Sequence, residues 1–324
     1  MKKTIAIVLV VLIAACAVFG QAATESAYPN QTINFIVPFP ASGAMSVIVH
    51  ALLENMELPV AYTVDNIVGG SGTIGLAEAY NRDADGYTVA LISNSFVTNP
   101  LTNSTIPFTI DDFVPLTYIA SPVLACLCCN PSIATDADAF LAYLKTCDSI
   151  SIGTTSMTGF SFVAGADLFM QMGIYDKVKW VAYEGSGELL QSYLSGEIDA
   201  AIIEDNNVHD YINQGSSITV AMVLASERSY FFPEVAAASE FGFSDLEKNV
   251  GFKGIAVKKG TPQEAIDYIY AKFAEAVVSP EFQEWCINRN FVPITKPITS
   301  EDFTKIIHMV SEASEEIFKK VGLI

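Results

Sequence analysis

Three turns rich in small and hydroxyl-bearing residues are the parts of this sequence best suited to chemistry. They are ASGAMS at residues 41–46, GGSGTIG at residues 69–75 and GTTSMTG at residues 153–159, and each lies between an apolar strand-like run and a helix-like stretch. A turn at the start of a helix leaves backbone N–H groups free at the positive end of the helix dipole. Such groups bind an anion, for example a carboxylate, without a basic side chain. Ordinary strand-to-helix connections share this composition, so each turn alone leaves both interpretations open.

The second turn also satisfies a dinucleotide fingerprint. Gly70, Gly72 and Gly75 fit the pattern G-x-G-x-x-G. A nicotinamide site needs an acidic residue about 20 positions further on, at the end of the next strand, to bind the ribose. That strand ends in SNS at residues 93–95, without a carboxylate. We therefore predict no cofactor. We predict instead that the second turn offers N–H groups at the same edge of the sheet as the first turn.

Catalysis and metal binding fit the pattern less well than ligand binding. Ser42, Ser71 and Ser156 lie in the turns, but none stands in G-x-S-x-G, and the three histidines are scattered. Zinc would need clustered ligands, which the sequence does not show. We predict a protein that is not an enzyme and holds no metal, with an exported serine hydrolase as the weaker alternative.

The elements that position these turns alternate between strands and helices. Apolar runs of strand length are each bounded by turn residues, and the pattern restarts near residue 123. This alternation predicts two lobes, each built on a parallel sheet. Strands are predicted at residues 33–37, 59–66, 87–93, 116–120, 123–129, 149–153, 178–182, 200–204, 218–225 and 252–257, helices at 47–53, 74–81, 136–145, 162–172, 188–194, 264–278 and 302–320, and turns at 83–87 and 99–100.

Composition limits the class of partner. The chain has 324 residues, 51% hydrophobic and 16% charged, which is globular and long enough for two domains. Its formal net charge is −19. Such an acidic surface argues against nucleic acid or an anionic membrane as partner. If the ligand is an anion, local N–H groups must attract it, because the overall field repels it.

The N-terminus is typical of an export signal. Two lysines precede a short apolar core at residues 5–14, too short for a transmembrane helix. The sequence LIAAC, which ends at Cys16, resembles a bacterial lipobox and would make Cys16 the lipidated first residue of the mature protein. Plain cleavage near Ala22 or Ala23 is the alternative. Either way, residues 1–23 are predicted to be a signal peptide, and the protein to work outside the cytoplasm.

The remaining cysteines do not predict a disulfide framework. They are odd in number: Cys126, Cys128, Cys129, Cys147 and Cys286. Buried thiols are the favoured interpretation, and a link from Cys147 to Cys128 or Cys129 stays open.

Several segments together resemble the solute-binding proteins of tripartite tricarboxylate transporters, the extracytoplasmic receptors expanded in Bordetella. The resemblance extends from about residue 28 to the last helix, and the order and spacing of its motifs are specific. The motifs are IVPF at residues 36–39, NIVGGSGTIG at 66–75, DGYT at 85–88, VAYEG at 181–185, LSGEID at 194–199, Arg228 with PEV at 233–235 and EFG at 240–242, and Gly254 with GTP at 260–262.

The resemblance implies a fold and a function. The fold would be an α/β, type II periplasmic binding protein (Venus-flytrap), with a doubly wound, mostly parallel sheet in each of two lobes. Residues 28–124 and 228–324 would form the first lobe and residues 125–227 the second. The protein would capture a small carboxylate or amino acid between its lobes and deliver it, as a monomer, to the membrane subunits of such a transporter. A binding protein that reports to a signalling partner is the alternative.

The resemblance also implies which residues contact the ligand, although three positions depart from the family. Ser46 replaces a common aspartate, and Phe162 and Val163 stand where a histidine is common. Glu204 and Asp205, at the end of a strand, could contact a ligand's ammonium group or face solvent. The implied ligand-binding residues are Phe39, Ala41, Ser42, Gly43, Ser46, Gly70, Ser71, Gly72 and Thr73 in the first lobe, and Thr154, Thr155, Ser156, Thr158, Tyr183, Gly185, Ser186 and Glu204 in the second.

Overall fold

The computed structural model describes residues 28–183, 185–248 and 250–324. The predicted signal peptide and Cys16 lie outside the described residues. The strands are β1 (Ile33–Val37), β2 (Tyr62–Asn66), β3 (Thr88–Ser93), β4 (Phe113–Val123), β5 (Ala125–Cys129), β6 (Ile150–Thr154), β7 (Val178–Ala182), β8 (Ala200–Glu204), β9 (Thr219–Val223) and β10 (Gly251–Lys258). The α-helices are α1 (Ala44–Glu54), α2 (Thr73–Asn81), α3 (Asn94–Thr102), α4 (Ala137–Thr146), α5 (Phe160–Gln171), α6 (Ser186–Ser195), α7 (Asp205–Asn213), α8 (Gln263–Ala276), α9 (Pro280–Asn288) and α10 (Ser300–Val321).

The strands form two five-stranded sheets, in the orders β2-β1-β3-β10-β4 and β7-β6-β8-β5-β9. In the first sheet β10 runs opposite to the other four strands, and in the second sheet β5 runs opposite to the other four. The predicted α/β fold with a mostly parallel sheet in each lobe is confirmed. Each reversed strand is the one with which the chain enters that sheet from the other lobe.

The chain passes between the lobes twice. β4 ends at Val123 and β5 begins at Ala125, so the first crossing is the single residue Leu124. The second crossing leads into β10, which begins at Gly251. Short crossings of this kind are where the relative movement of two lobes is concentrated.

Residues 228–248, which the family resemblance assigns to the first lobe, pack against the second. Phe232 lies in one apolar cluster of the second sheet, and Ala238 and Leu246 lie in the other. Because these side chains bury their apolar surface on the second sheet, the return to the first lobe comes near residue 250 instead of residue 228.

The cores lie between the sheets and their helices. In the first lobe, β1 and the apolar face of α1, which includes Ile48 and Leu52, belong to one buried cluster. In the second lobe, alternation along β5 sends Cys126 and Cys128 to one face of the sheet and Cys129 to the other. These three thiols are buried, and the structure has Cys147 and Cys286 as free thiols too, without the link from Cys147 that the sequence left open.

Two helices depart from the predicted elements. α3 includes Asn99 and Pro100, for which the sequence predicts a turn, and α7 follows β8 without any connecting residue. Both begin where a strand ends. In the described part of the chain, no helix combines the length and the apolar character needed to cross a membrane.

Candidate functional site

A cleft of about 450 Å³ lies between the two lobes. Both sheets present strand ends and helix starts to it, and half of its described lining residues are serine, threonine or asparagine, beside apolar residues such as Phe39, Phe160 and Phe252. The lining residues of the first lobe are Phe39, Pro40, Gly43, Ala44, Met45, Ser71, Ser93, Asn94, Ser95, Thr98, Asn99, Val123, Gly251, Phe252 and Lys253, and those of the second lobe are Thr155, Ser156, Thr158, Gly159, Phe160, Ser161, Glu204, Asn206 and Asn207.

Four helices begin at the cleft: α1 and α3 from the first lobe, and α5 and α7 from the second. The residues that precede them, Gly43, Ser93, Gly159 and Glu204, make no capping hydrogen bond with a side chain. Away from the cleft, α4, α9 and α10 are capped by side chains of Asp136, Ser279 and Thr299, whereas α2, α6 and α8 also lack a side-chain cap. The first turns of α1, α3 and α5 therefore offer N–H groups to an anion.

Asn66 fixes the first turn. Its Nδ2 donates to the carbonyl oxygen of Phe39 at 2.8 Å and to Oγ of Ser46 at 3.0 Å. Ser46 is fully buried, so this bond ties α1 to the end of β2 inside the lobe. The structure thus gives Ser46 a packing position and leaves Phe39 and Gly43 to line the cleft.

Asn99 of α3 fixes the glycine-rich turn. Its Nδ2 donates to the carbonyl oxygens of Gly70 at 3.3 Å and Ser71 at 3.1 Å, and to Oγ1 of Thr73 at 3.0 Å. Ser71 lines the cleft with a φ of 53°, in the left-handed region that a serine rarely adopts. The three bonds from Asn99 hold that strained conformation, which is a common feature of ligand sites.

Close packing explains the third glycine of the G-x-G-x-x-G pattern. A Cβ atom at Gly75 would lie 2.7 Å from the carbonyl oxygen of Ile67 and 2.9 Å from Cα of Pro38. Only glycine lets α2 approach the end of β1 so closely. The fingerprint therefore has a structural role in this chain.

Hydroxyl groups form the second-lobe turn. Thr155, Ser156 and Thr158 line the cleft. Oγ of Ser156 lies 3.2 Å from Oγ1 of Thr158 and accepts from the Thr158 N–H at 3.2 Å, while buried Thr154 donates to the carbonyl oxygen of Ser156 at 3.4 Å. These local bonds preorganise the hydroxyl groups beside the start of α5.

Among the lining residues that the structure describes, Glu204 and Lys253 carry the charges. Oε2 of Glu204 lies 3.9 Å from Nζ of Lys253, across the cleft from one lobe to the other. Next to Glu204, Asn206 is buried and its Oδ1 has no hydrogen-bond partner. Side-chain acceptors therefore gather at the start of α7, which like the other three helix starts lacks a side-chain cap.

Asp205 joins this site to the first crossing. Its carboxylate accepts from the Leu124 N–H at 3.2 Å, from the Asn206 N–H at 2.9 Å and from Oγ of Ser229 at 2.7 Å. Burial raises the pKa of the Asp205 carboxyl above its ordinary value, although these three hydrogen bonds oppose the shift and neighbouring Glu204 adds to it. Through these hydrogen bonds, buried Asp205 connects the end of β8 to Leu124.

Residues 47–323 match the family described as "Tripartite tricarboxylate transporter family receptor". The chain belongs to this family. It is therefore a solute-binding receptor of the tripartite tricarboxylate transporter type, and this membership implies an extracytoplasmic location.

Relatives of the receptor share its length as well as its fold. "Protein BugT" of Bordetella pertussis is 28% identical over 283 residues, which cover 85% of this chain and 86% of BugT. A TctC solute-binding protein from Polaromonas, solved without ligand, is 24% identical with a TM-score of 0.78, and the match covers 91% of this chain and 100% of that one. The R. palustris protein Rpa4515, solved with adipate, is 19% identical with a TM-score of 0.74, and the match covers 91% and 98% of the two chains.

The structure brings part of the predicted site of the receptor to the cleft. Phe39, Gly43, Ser71, Thr155, Ser156, Thr158 and Glu204 line it. The other predicted residues do not: Ala41, Ser42, Ser46, Gly70, Gly72, Thr73, Thr154, Tyr183, Gly185 and Ser186. The last three of these follow β7, which is an outer strand of its sheet. A ligand-binding role for either group stays a prediction.

Several lining residues were not predicted from the sequence. The polar run at residues 93–95, directly after β3, carried a usable signal, because polar residues at the carboxyl end of a parallel strand lie where ligands bind. Asn206 and Asn207 follow β8 in the same way. Lys253 carried no such signal, since a single lysine within a strand is typical of a solvated edge.

None of the three histidines is among the residues that line the cleft. His209 stacks on Phe231 with ring centroids 4.7 Å apart, and Nε2 of His308 lies 3.6 Å from Oδ1 of Asp111. The described residues contain no group of three or more His, Cys, Asp or Glu side chains that could hold a metal ion.

Proposed function

We propose that the receptor captures a small carboxylate in the cleft and delivers it to the membrane subunits of a tripartite tricarboxylate transporter. The observation that carries this proposal is the convergence of the α1, α3 and α5 N-termini, without side-chain caps, on one cleft. Each contributes N–H groups and the positive end of a helix dipole, which together hold an anion in a protein whose net charge is −19.

Capture and release follow from the two-lobed geometry. α1 and α3 belong to one lobe and α5 to the other, so a carboxylate bound to all three stabilises the closed arrangement of the lobes. Since a ligand shifts a conformational equilibrium only by its differential affinity, release follows when the lobes part and one set of donors is withdrawn.

The finer features of the receptor belong to the same proposal. We propose that it is a monomer without catalytic activity or cofactor, that the lipidated Cys16 anchors it to the membrane, and that nucleic acid is not a partner. Adipate, the ligand of the R. palustris protein with the same fold, is a dicarboxylate and supports this class of ligand. Transport is favoured over signalling because the family is named for its transporters.

Thermal denaturation of the ligand-free protein against a panel of carboxylates, amino acids and neutral compounds tests the proposal. A ligand at about 100 times its Kd stabilises the native state by about 2.7 kcal/mol, which raises Tm measurably. A response confined to neutral compounds, or none at all, contradicts it.

A pair of variants isolates the helix N-termini. Ala44→Glu places a carboxylate at the first residue of α1, at the cleft, and we expect it to weaken carboxylate binding by about tenfold or more through competition and repulsion. Gln263→Glu places the same side chain at the first residue of α8, which does not line the cleft, and should leave the affinity unchanged. Equal affinities in the two variants would contradict a role for the α1 N-terminus in ligand binding.

A further inference from the structure

The charged groups of the cleft balance each other. Glu204 of the second lobe and Lys253 of the first are the charged side chains among its described lining residues, and their charged atoms lie 3.9 Å apart. Both are largely shielded, with side-chain exposures of 32% and 15%. A dicarboxylate would bring two negative charges to a site with one cation and one anion, inside a protein that is already strongly acidic.

The polar groups of the cleft are also segregated. Lys253 and the starts of α1, α3 and α5 supply donors. The start of α7 differs by its acceptor side chains, because Glu204 precedes it and the buried Oδ1 of Asn206 lacks a partner. A buried acceptor without a partner costs free energy, which a donor group of the ligand would recover.

From this charge balance and segregation we propose that the receptor selects carboxylates that also carry an ammonium group. The ligand carboxylate lies against Lys253 and the three helix N-termini, and its ammonium group lies against Glu204 with Asn206 as a second acceptor. An ammonium group is the donor that pairs best with a carboxylate. This inference rests on the proposed function and narrows its ligand class.

Succinate, malate and aspartate test the inference, since they share one carbon chain and differ by a hydrogen, a hydroxyl and an ammonium group. Titration calorimetry on the full mature protein should give aspartate a Kd at least about tenfold lower than that of succinate or malate. The same order is expected between glutamate and glutarate. Equal or tighter binding of the diacids would overturn the inference while leaving the proposed function intact, whereas a failure of every carboxylate in the wider panel would overturn both.

Two variants locate the selectivity. Glu204→Gln should weaken the binding of aspartate by about tenfold or more. It should strengthen the binding of succinate, because the substitution removes a negative charge and leaves Lys253 without its ion-pair partner. Lys253→Met should weaken the binding of aspartate and of succinate by similar factors, since both ligands carry the carboxylate that pairs with Lys253. Glu78→Gln, on the exposed face of α2, is the matched control and should change neither. If Glu204→Gln changed the Kd of aspartate and the Kd of succinate by the same factor, with circular dichroism showing a folded protein, the ammonium site would be excluded.

Discussion

At the scale of the residue, asparagine and aspartate side chains hold the cleft in shape. Asn94 illustrates this: its Nδ2 donates to the Val250 carbonyl at 2.8 Å and its Oδ1 accepts from the Phe252 N–H at 2.9 Å. Its hydrogen bonds therefore connect the second crossing to the start of α3. In the same way, the hydrogen bond from Leu124 to Asp205 connects the first crossing to the start of α7. Each crossing is tied to a helix that begins at the cleft, so we expect movement of the lobes and occupation of the cleft to be coupled.

Asp205→Asn tests the connection at the first crossing through its pH dependence. Because the pKa of Asp205 is raised in the folded protein, the folded state binds more protons than the unfolded state between about pH 4 and that raised pKa. Stability from this group is therefore present at low pH and is lost as pH rises. The free energy of unfolding of the wild type, minus that of the variant, should fall as pH rises from about 4 towards 8.

Urea unfolding at several pH values measures this difference. Asp267→Asn, an exposed substitution on α8, serves as the control. A wild-type minus variant difference that stayed constant over the pH range would mean that Asp205 binds no extra proton in the folded state.

At the scale of the element, the sequence predicted most strands and helices and missed the two that matter most for the cleft. β7 and β8 have the predicted bounds, because apolar β-branched residues at strand length are a strong signal. α3 and α7 were missed, since NSFVTNPLT includes a proline and DNNVHDYIN is rich in residues that favour turns. They are helical because they begin directly at a strand end and are held there by long-range bonds, such as those from Asn94, which no local pattern contains.

The same limit applies to the site. The glycine-rich and hydroxyl-rich turns could be recognised from composition, and Ser71 and Ser156 do line the cleft. Lys253 could not, because its place opposite Glu204 depends on β10 returning from the other lobe to lie beside β3.

The last helix, α10, links the lobes. Its first half packs Phe303 and Ile307 into the first-lobe core, and its second half packs Phe318 against Phe162 and Val163 of α5. Since α5 begins at the cleft, α10 couples the first lobe to one of the helices proposed to bind the ligand.

Phe318→Ala tests this coupling. Truncation of this fully buried ring should lower the free energy of unfolding by about 3–5 kcal/mol, as is usual for phenylalanine in a core. It should also separate the unfolding of the lobes, because the removed contact joins them. Trp180 in the second lobe and Trp285 in the first offer one fluorescent reporter each, after the other is replaced by Phe.

Phe303→Ala is the matched control, because Phe303 is equally buried on the same helix but contacts Tyr118 and Phe252 of the first lobe. In urea, the two tryptophan signals should have one midpoint in the wild type and two in Phe318→Ala. Coincident midpoints in Phe318→Ala would show that α10 does not couple the lobes.

At the scale of the whole molecule, the two lobes of the receptor are in close contact at the second crossing. Gly251, at the second crossing, lies where Val123 of β4 and Phe160 of α5 meet. A Cβ atom there would lie 2.5 Å from Cγ2 of Val123 and 2.9 Å from two ring atoms of Phe160. Such distances are too short for real contacts, so a methyl group at this position must displace the Val123 side chain or the Phe160 ring at the start of α5.

Gly251→Ala should therefore shift the lobes towards an open arrangement. We expect a larger radius of gyration in small-angle X-ray scattering and a ligand affinity lower by about tenfold or more, since the open form separates α5 from α1 and α3. Gly187→Ala is the control, because this position lies within α6 outside the cleft lining and its added methyl group would meet the far end of the Tyr211 side chain at 3.3 Å. If Gly251→Ala kept the scattering and the affinity of the wild type, closure would not depend on contact at the second crossing, and the lobes would have to move about Leu124 alone.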